Sequence, residues 1–169
     1  IKAVCNELVL RKSEYTSEEI QSIYFGGGTP TVLEVSELNT ILQTVYEHYK
    51  VSDTSEITLE ANPDDLDLEK IKRLANTKIN RLSIGIQSFH ESDLTSMNRA
   101  HNAIEAKKCL EIATTYFDNI TIDLMFGMPT MSIEQWRQNL QTAFGFGIKH
   151  LSCYALTVEP KTALEHFIN

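Results

Sequence analysis

Long apolar runs are missing from this sequence of 169 residues, and positive charge is scarce in it. No uninterrupted apolar stretch approaches the ~20 residues that a membrane-spanning helix requires, so we expect no integral membrane protein. Lysine and arginine together number 15 against 23 acidic residues, which gives a formal net charge of -8. Because a nucleic-acid-binding surface requires concentrated basic residues, we also expect no nucleic-acid partner.

Cysteine is rare, and the three that occur, Cys5, Cys109 and Cys153, are far apart in the sequence. Without CxxC spacing they predict neither a disulfide framework nor a self-contained zinc or iron–sulfur motif. We therefore interpret them as reduced, partly buried residues of a cytoplasmic protein. The five histidines lack partners at a metal-ligand spacing such as HxxxH. No catalytic or metal-ligating residue is predicted from these residue types.

Glycine is concentrated in one place, where Gly26, Gly27 and Gly28 stand together before Thr29-Pro30. An apolar run leads into the three glycines and a helical pattern follows them, an arrangement that binds ligands in open α/β folds and α/β barrels. No Gly-Lys-Ser/Thr follows, so this is not a phosphate-binding P-loop, and the glycines lack the spacing of a dinucleotide fingerprint. From these residues alone, a plain tight turn and a binding loop both remain open.

Strand-like and helix-like patterns alternate along the rest of the chain. We predict strands at residues 21–25, 56–61, 81–87, 119–125 and 149–156. Helical patterns cover residues 1–12, 91–98 and 102–116, begin near Ser36 and Thr162, and follow the caps Asp67 and Ser132. This alternation predicts βαβ units, a parallel sheet and one α/β domain over residues 1–169. Because a helix precedes the first strand, we expect an incomplete domain, a partial (β/α) barrel whose first strand is missing.

Three polar side chains share the inward face of the predicted sheet. Alternation along the strands places Glu60, Gln87 and Asp123 opposite the apolar residues, at or near the carboxyl ends of three successive strands. That rim is where α/β barrels hold their chemistry. Carboxylates accept hydrogen bonds and an amide both donates and accepts them, so the set fits an aminoacyl or ribose group better than phosphates. The alternative is that each is hydrogen-bonded for structure, for example to Arg81 or Arg99.

The segments GGGTPT, EANP, GIQSF, MNRAH, IDLMFGMP and SCYALTVEP, in this order, resemble one family. They are similar to the radical S-adenosylmethionine proteins of the oxygen-independent coproporphyrinogen III oxidase group. The resemblance implies that Gly27, Gly28 and Thr29 hold the methionine part of S-adenosylmethionine. It also implies that the amino, carboxylate and ribose groups of the cofactor are contacted by Glu60, Gln87, Arg99 and Asp123. Ala155 matches a further contact, which comes from the family's sixth strand.

One family motif has no match in these 169 residues. In the family, a CxxxCxxC loop supplies three thiolates to a [4Fe–4S] cluster, and by resemblance that loop would precede Ile1. The spacing of Cys5, Cys109 and Cys153 does not replace it. We therefore expect that the chain as given does not assemble the cluster and does not cleave S-adenosylmethionine reductively.

Three functional interpretations follow. The segment SCYALTVEP resembles the haem-chaperone branch of the family, which implies haem or a porphyrin as partner. The alternative is a true oxidase of haem biosynthesis, which uses the 5′-deoxyadenosyl radical to abstract hydrogen from two propionate side chains with loss of carbon dioxide. A third interpretation is another α/β barrel whose glycine turn is only a turn. The sequence leaves the oligomeric state open.

Overall fold

Five parallel strands pair in the same order as they occur in the chain. The computed structural model describes residues 1–129 and 131–161. The strands are β1 (Ile20–Phe25), β2 (Val51–Ala61), β3 (Arg81–Gln87), β4 (Ile120–Phe126) and β5 (His150–Ala155). The helices are α1 (Lys2–Arg11), α2 (Val35–His48), α3 (Leu68–Ala75), α4 (Glu91–Ser96), α5 (Ala103–Tyr116) and α6 (Ile133–Gly145). Short 3₁₀ turns cover Lys12–Tyr15, Pro30–Val32 and Pro63–Asp65.

This architecture is the predicted partial (β/α) barrel, with the sheet curled into half a barrel. All five strand predictions are confirmed, although β2 begins five residues before the predicted start. The helix expected near Thr162 lies outside the described residues. No helix within residues 1–129 and 131–161 has both the length and the apolar character needed to cross a bilayer.

The core lies between the convex face of the sheet and the helices. Alternating residues of the three central strands, including Leu59, Ile84 and Ile122, are fully buried there. They pack against apolar side chains of the helices, among them Leu38, Ile71, Leu74, Ala106 and Leu110. Each buried leucine or isoleucine side chain contributes about 1.5–3 kcal/mol of burial free energy. The predicted division of the three central strands into an apolar and a polar face is therefore confirmed.

Helix starts are partly as predicted. Asp67 caps α3 by accepting a hydrogen bond from the Lys70 amide, and Ser132 with Gln135 forms the predicted capping box of α6. The cap predicted at Ser36 is wrong, because the chain enters α2 earlier and Glu34 forms a capping box with Glu37.

The helical spacing after the caps Asp67 and Ser132 predicts that Leu68, Ile133 and Phe144 face inward. They are instead exposed, at 40%, 80% and 60%. They lie in the first or last turn of their helices. At these three terminal positions the side chains project into solvent.

Candidate functional site

The glycine turn and the carboxyl ends of β2, β3 and β4 surround a small cavity of about 150 Å³. Its lining consists of Gly28, Thr29, Pro30, Glu60, Ala61, Asn62, Ser83, Gly85, Gln87, Arg99 and Asp123. Six of the eight predicted site residues, Gly28, Thr29, Glu60, Gln87, Arg99 and Asp123, are thus brought together. Gly27 adjoins the cavity through a hydrogen bond to Glu60. Ala155 ends β5 opposite Phe126 and does not line the cavity.

The glycine turn requires glycine for two separate reasons. Gly27 and Gly28 have φ values of +79° and +65°, which L side chains rarely adopt, although there is open space beside both Cα atoms. Gly26 is needed because space is short. A Cβ there would lie 2.8 Å from Tyr24 Cε1 and 3.1 Å from Glu60 Oε1. The turn is therefore packed against β2 on one side and open on the other.

Glu60 is bound to this turn through both of its carboxylate oxygens. The Tyr24 hydroxyl donates to Oε1 at 2.8 Å, and the Gly27 amide donates to Oε2 at 3.2 Å. The structural alternative considered for Glu60 is thus partly right, but its partners are the glycine turn and the preceding strand rather than Arg81 or Arg99. Because a carboxylate has about four lone-pair positions, acceptor capacity remains for a ligand.

Asp123 lies on the next strand but one, on the same concave face. Burial raises the pKa of this carboxyl group, and the negative charge of Glu60 raises it further, while a hydrogen bond from Ser152 opposes both effects. Perturbed carboxyl groups of this kind are enriched at functional sites. The two carboxylates give the cavity a strong preference for hydrogen-bond donors and positive charge.

Gln87 and Arg99 form the opposite wall. Gln87 has a φ of +66°, where the pairing between β3 and β4 shifts its register. Arg99 Nη2 donates to Asn62 Oδ1 at 2.7 Å and to the Gly85 carbonyl at 3.2 Å. Arg99 Nε is buried and has no partner in the described residues, so an N–H donor is left for a ligand acceptor.

The lining also contains residues that were not predicted as site residues. These are Asn62, Ser83 and Gly85. Strand alternation places all three on the same face as Glu60 and Gln87, so that pattern could have identified them. A Cβ at position 85 would approach Gln87 Nε2 to 3.1 Å and Arg99 Nη2 to 3.4 Å, so glycine makes room for both side chains.

A second tether holds the far end of the glycine turn. Thr31 is fully buried, and its hydroxyl donates to Asp65 Oδ2 at 2.9 Å. The Lys70 ammonium group donates to the Thr31 carbonyl. Asp65 lies in the β2–α3 connection and Lys70 lies in α3, so the turn is fixed to both as well as to Glu60.

The donor set complements a zwitterion with hydroxyl groups. Glu60 and Asp123 can accept hydrogen bonds from ammonium or hydroxyl groups, and the Arg99 Nε–H can donate to a carboxylate. The three cysteines lie on α1, α5 and β5, and no group of three or more Cys, His, Asp or Glu side chains within residues 1–129 and 131–161 is arranged to hold a metal ion. The described residues therefore fit an amino-acid-like ligand and do not fit an iron–sulfur cluster.

Known proteins share both the sequence and the fold. The heme chaperone HemW of Bacillus subtilis is 36% identical over 164 residues, which cover 96% of this chain and 43% of that protein. The mouse protein named radical S-adenosyl methionine domain-containing protein 1, mitochondrial, is 35% identical over 148 residues, covering 87% of this chain and 34% of that protein.

A solved structure, that of coproporphyrinogen III oxidase (HemN) from Escherichia coli, a radical SAM enzyme, matches with a TM-score of 0.84 at 25% identity. The match covers 94% of this chain and 37% of that one. The chain thus spans less than half the length of these relatives. The model of the radical SAM superfamily matches residues 6–143. With most of its length matched by that model, the chain belongs to the radical SAM superfamily.

Proposed function

We propose that the cavity binds S-adenosylmethionine and that the chain is the cofactor-binding core of a radical SAM haem chaperone. The observation that carries this proposal is the convergence of Glu60, Asp123 and the unpartnered Arg99 Nε beside the glycine turn. A small polar cavity with few, differently charged groups suits the amino-acid end of this cofactor. When bound, S-adenosylmethionine supplies the radical chemistry for which the superfamily is named.

Each residue has a distinct role in the proposal. The Arg99 N–H donates to the cofactor carboxylate, while Glu60 and Asp123 accept from its ammonium and ribose hydroxyl groups. Gly27, Gly28 and Thr29 form the wall along the methionine part, Gln87 contributes donors and acceptors, and Ala155 contacts the cofactor outside the cavity. At about 150 Å³ the cavity is below the ~300–1,000 Å³ of pockets that enclose whole small molecules, so these residues would hold only part of the ligand.

The proposed partner is haem or a porphyrin, by analogy with the chaperone relatives of 32–36% identity. The rival is oxidative decarboxylation of a porphyrinogen, which the structural match to coproporphyrinogen III oxidase favours. The three free cysteines support a reducing compartment such as the cytoplasm. The [4Fe–4S] cluster also belongs to the proposal. The described residues include no group of three or more Cys, His, Asp or Glu side chains that could hold it.

Calorimetric titration with S-adenosylmethionine tests the cofactor site. Glu60→Ala and Asp123→Ala each remove an acceptor for a charged donor, so each is expected to raise the dissociation constant by about tenfold or more. Asp53→Ala is the matched control, because it removes one negative charge from an exposed position of β2, far along the strand from the cavity. Equal affinities for the wild type and both site variants would contradict the proposed site.

A second experiment separates chaperone from oxidase. The protein encoded by the whole reading frame is reconstituted with iron and sulfide and titrated with haem, where a Soret band of bound haem is expected. The same protein is then incubated with coproporphyrinogen III, S-adenosylmethionine and a reductant. Appearance of a decarboxylated product on chromatography would overturn the chaperone assignment in favour of the oxidase.

A further inference from the structure

Tyr24 makes a contact to the site that neither the fold nor the proposed ligand contacts require. Its neighbours Ile23 and Phe25 pack against the core, whereas Tyr24 is 56% exposed on the concave face. Its hydroxyl nevertheless donates to Glu60 Oε1 at 2.8 Å. An exposed tyrosine that reaches a specific carboxylate on the neighbouring strand contributes a directed polar contact rather than core packing.

Strand register brings the two side chains together. Tyr24 of β1 lies opposite Thr58 of β2, so Glu60 is the next residue of β2 on the same face. Between them the chain has Gly26, where a Cβ would collide with the Tyr24 ring and crowd Glu60. The missing side chain at Gly26 therefore leaves the space in which the hydrogen bond forms.

The same carboxylate also holds the turn. Glu60 Oε2 accepts from the Gly27 amide at 3.2 Å, so Tyr24 and Gly27 bind the two oxygens from one side. Two directed donors fix the rotation of a carboxylate that a single donor leaves free to turn. Burial raises the pKa of Tyr24, and the hydrogen bond to Glu60 raises it further, so the phenol remains a donor at neutral pH.

We propose that Tyr24 is a positioning residue that orients the Glu60 carboxylate and, through it, the glycine turn at Gly27. Glu60 thereby presents its unused lone pairs to the cavity in one orientation before any ligand binds. Only the ligand part of this inference rests on the proposed function; the orientation of the turn does not.

Tyr24→Phe tests the proposal, because it removes the hydroxyl and keeps the ring. In the ligand-free protein, hydrogen exchange of the Gly27 amide, followed by NMR, is expected to accelerate about threefold or more as the carboxylate loses its second donor. Tyr154→Phe is the matched control. Tyr154 is also 56% exposed and lies on the edge strand β5, opposite Met125, and no hydrogen bond of its hydroxyl is found among the described residues. An unchanged Gly27 exchange rate in Tyr24→Phe overturns the proposal.

Affinity gives the second measurement. If the wild type binds S-adenosylmethionine, the dissociation constant of the Tyr24→Phe variant for this cofactor is expected to be about threefold to tenfold higher. The thermal midpoint of the variant is expected to stay within ~2 °C of the wild-type midpoint. A merely structural role would lower the midpoint without this selective loss, so an unchanged dissociation constant also overturns the proposal. If the wild type does not bind the cofactor, the proposed function fails, and the exchange rate of Gly27 alone decides the role of Tyr24.

Discussion

Replacing Asn139 by alanine is expected to destabilise the protein strongly, because this buried amide of α6 ties the helix to the chain that follows β3. Asn139 is fully buried, and its Oδ1 accepts from the Phe89 amide at 2.8 Å. Its Nδ2 donates to Ser88 Oγ at 3.1 Å. Ser88 in turn donates to Asp93 at 2.6 Å, so the cluster fixes the segment directly after Gln87.

The magnitude follows from the groups left behind. Alanine leaves the Phe89 N–H buried without an acceptor, which costs about 1–3 kcal/mol, and removes a second bond worth about 1 kcal/mol. The sum is about 3 kcal/mol. With a urea dependence of about 2 kcal/mol per molar, the unfolding midpoint should fall by about 1.5 M.

Urea unfolding followed by tryptophan fluorescence measures this loss. The only tryptophan, Trp136, lies on the same helix with its ring centroid 5.4 Å from that of Phe126, so it reports on the packing of α6. Gln138→Ala is the control, since its side chain is exposed on the same helix and should change the free energy of unfolding by less than ~0.5 kcal/mol. An Asn139→Ala variant as stable as Gln138→Ala would show that the Asn139 amide does not stabilise the contact between α6 and the segment after β3.

Three further outcomes are expected. Asp123→Asn should increase stability at neutral pH. A carboxyl group whose pKa is raised in the folded state stabilises the fold at low pH, and this contribution is lost as the pH rises from the ordinary pKa of 3.8 through the raised pKa. Thermal melts between pH 4 and 8 should therefore show the wild type and the variant diverging as the pH rises. Asn102→Ala removes the capping box of α5, in which Asn102 accepts from two backbone amides, and should cost about 1 kcal/mol in urea unfolding. Burial raises the pKa of Cys109 to about 12, so at pH 8 mass spectrometry should find alkylation at exposed Cys153 well before Cys109; equal labelling in the folded protein would contradict this.

Strand alternation predicted part of the site because the central strands are regular. β2 keeps one register with β3 through Glu60, and β4 keeps one register with β5 through Asp123, so counting by twos gives the correct face. Gln87 was also placed correctly, but its left-handed backbone and the register shift before it could not be predicted. A non-glycine residue adopts positive φ because of its surroundings, which a local pattern does not contain.

Arg99 could not be predicted from strand alternation. It follows α4 and Asn98, whose φ is +51°, in a connection that has neither strand nor helix periodicity. Only the family resemblance pointed to Arg99. Only the structure shows that, within residues 1–129 and 131–161, its Nε has no partner while Nη2 donates to Asn62 and Gly85. Tyr24 was missed for a related reason, since its role depends on the space beside Gly26 and on pairing between β1 and β2.

Strand alternation was informative because the concave face of the sheet is polar. In a packed α/β barrel the interior is filled by layers of branched apolar side chains, and both faces of each strand are apolar. Here the interior positions of the central strands carry Thr58, Arg81, Ser83 and Thr121, all buried. Arg81 donates to both threonines and contacts His150 Nδ1 at 3.0 Å.

Such a face is costly to bury and contributes little to a hydrophobic core. Its polar groups are bonded to one another at the amino ends of the strands, around Arg81. At the carboxyl ends, burial raises the pKa of Asp123 and the negative charge of Glu60 raises it further. A half-barrel that served only as a scaffold would gain stability by replacing that carboxylate. Asp123 lines the same cavity as Arg99, whose Nε has no partner among the described residues, and this links the polar pattern in the sequence to the proposed function.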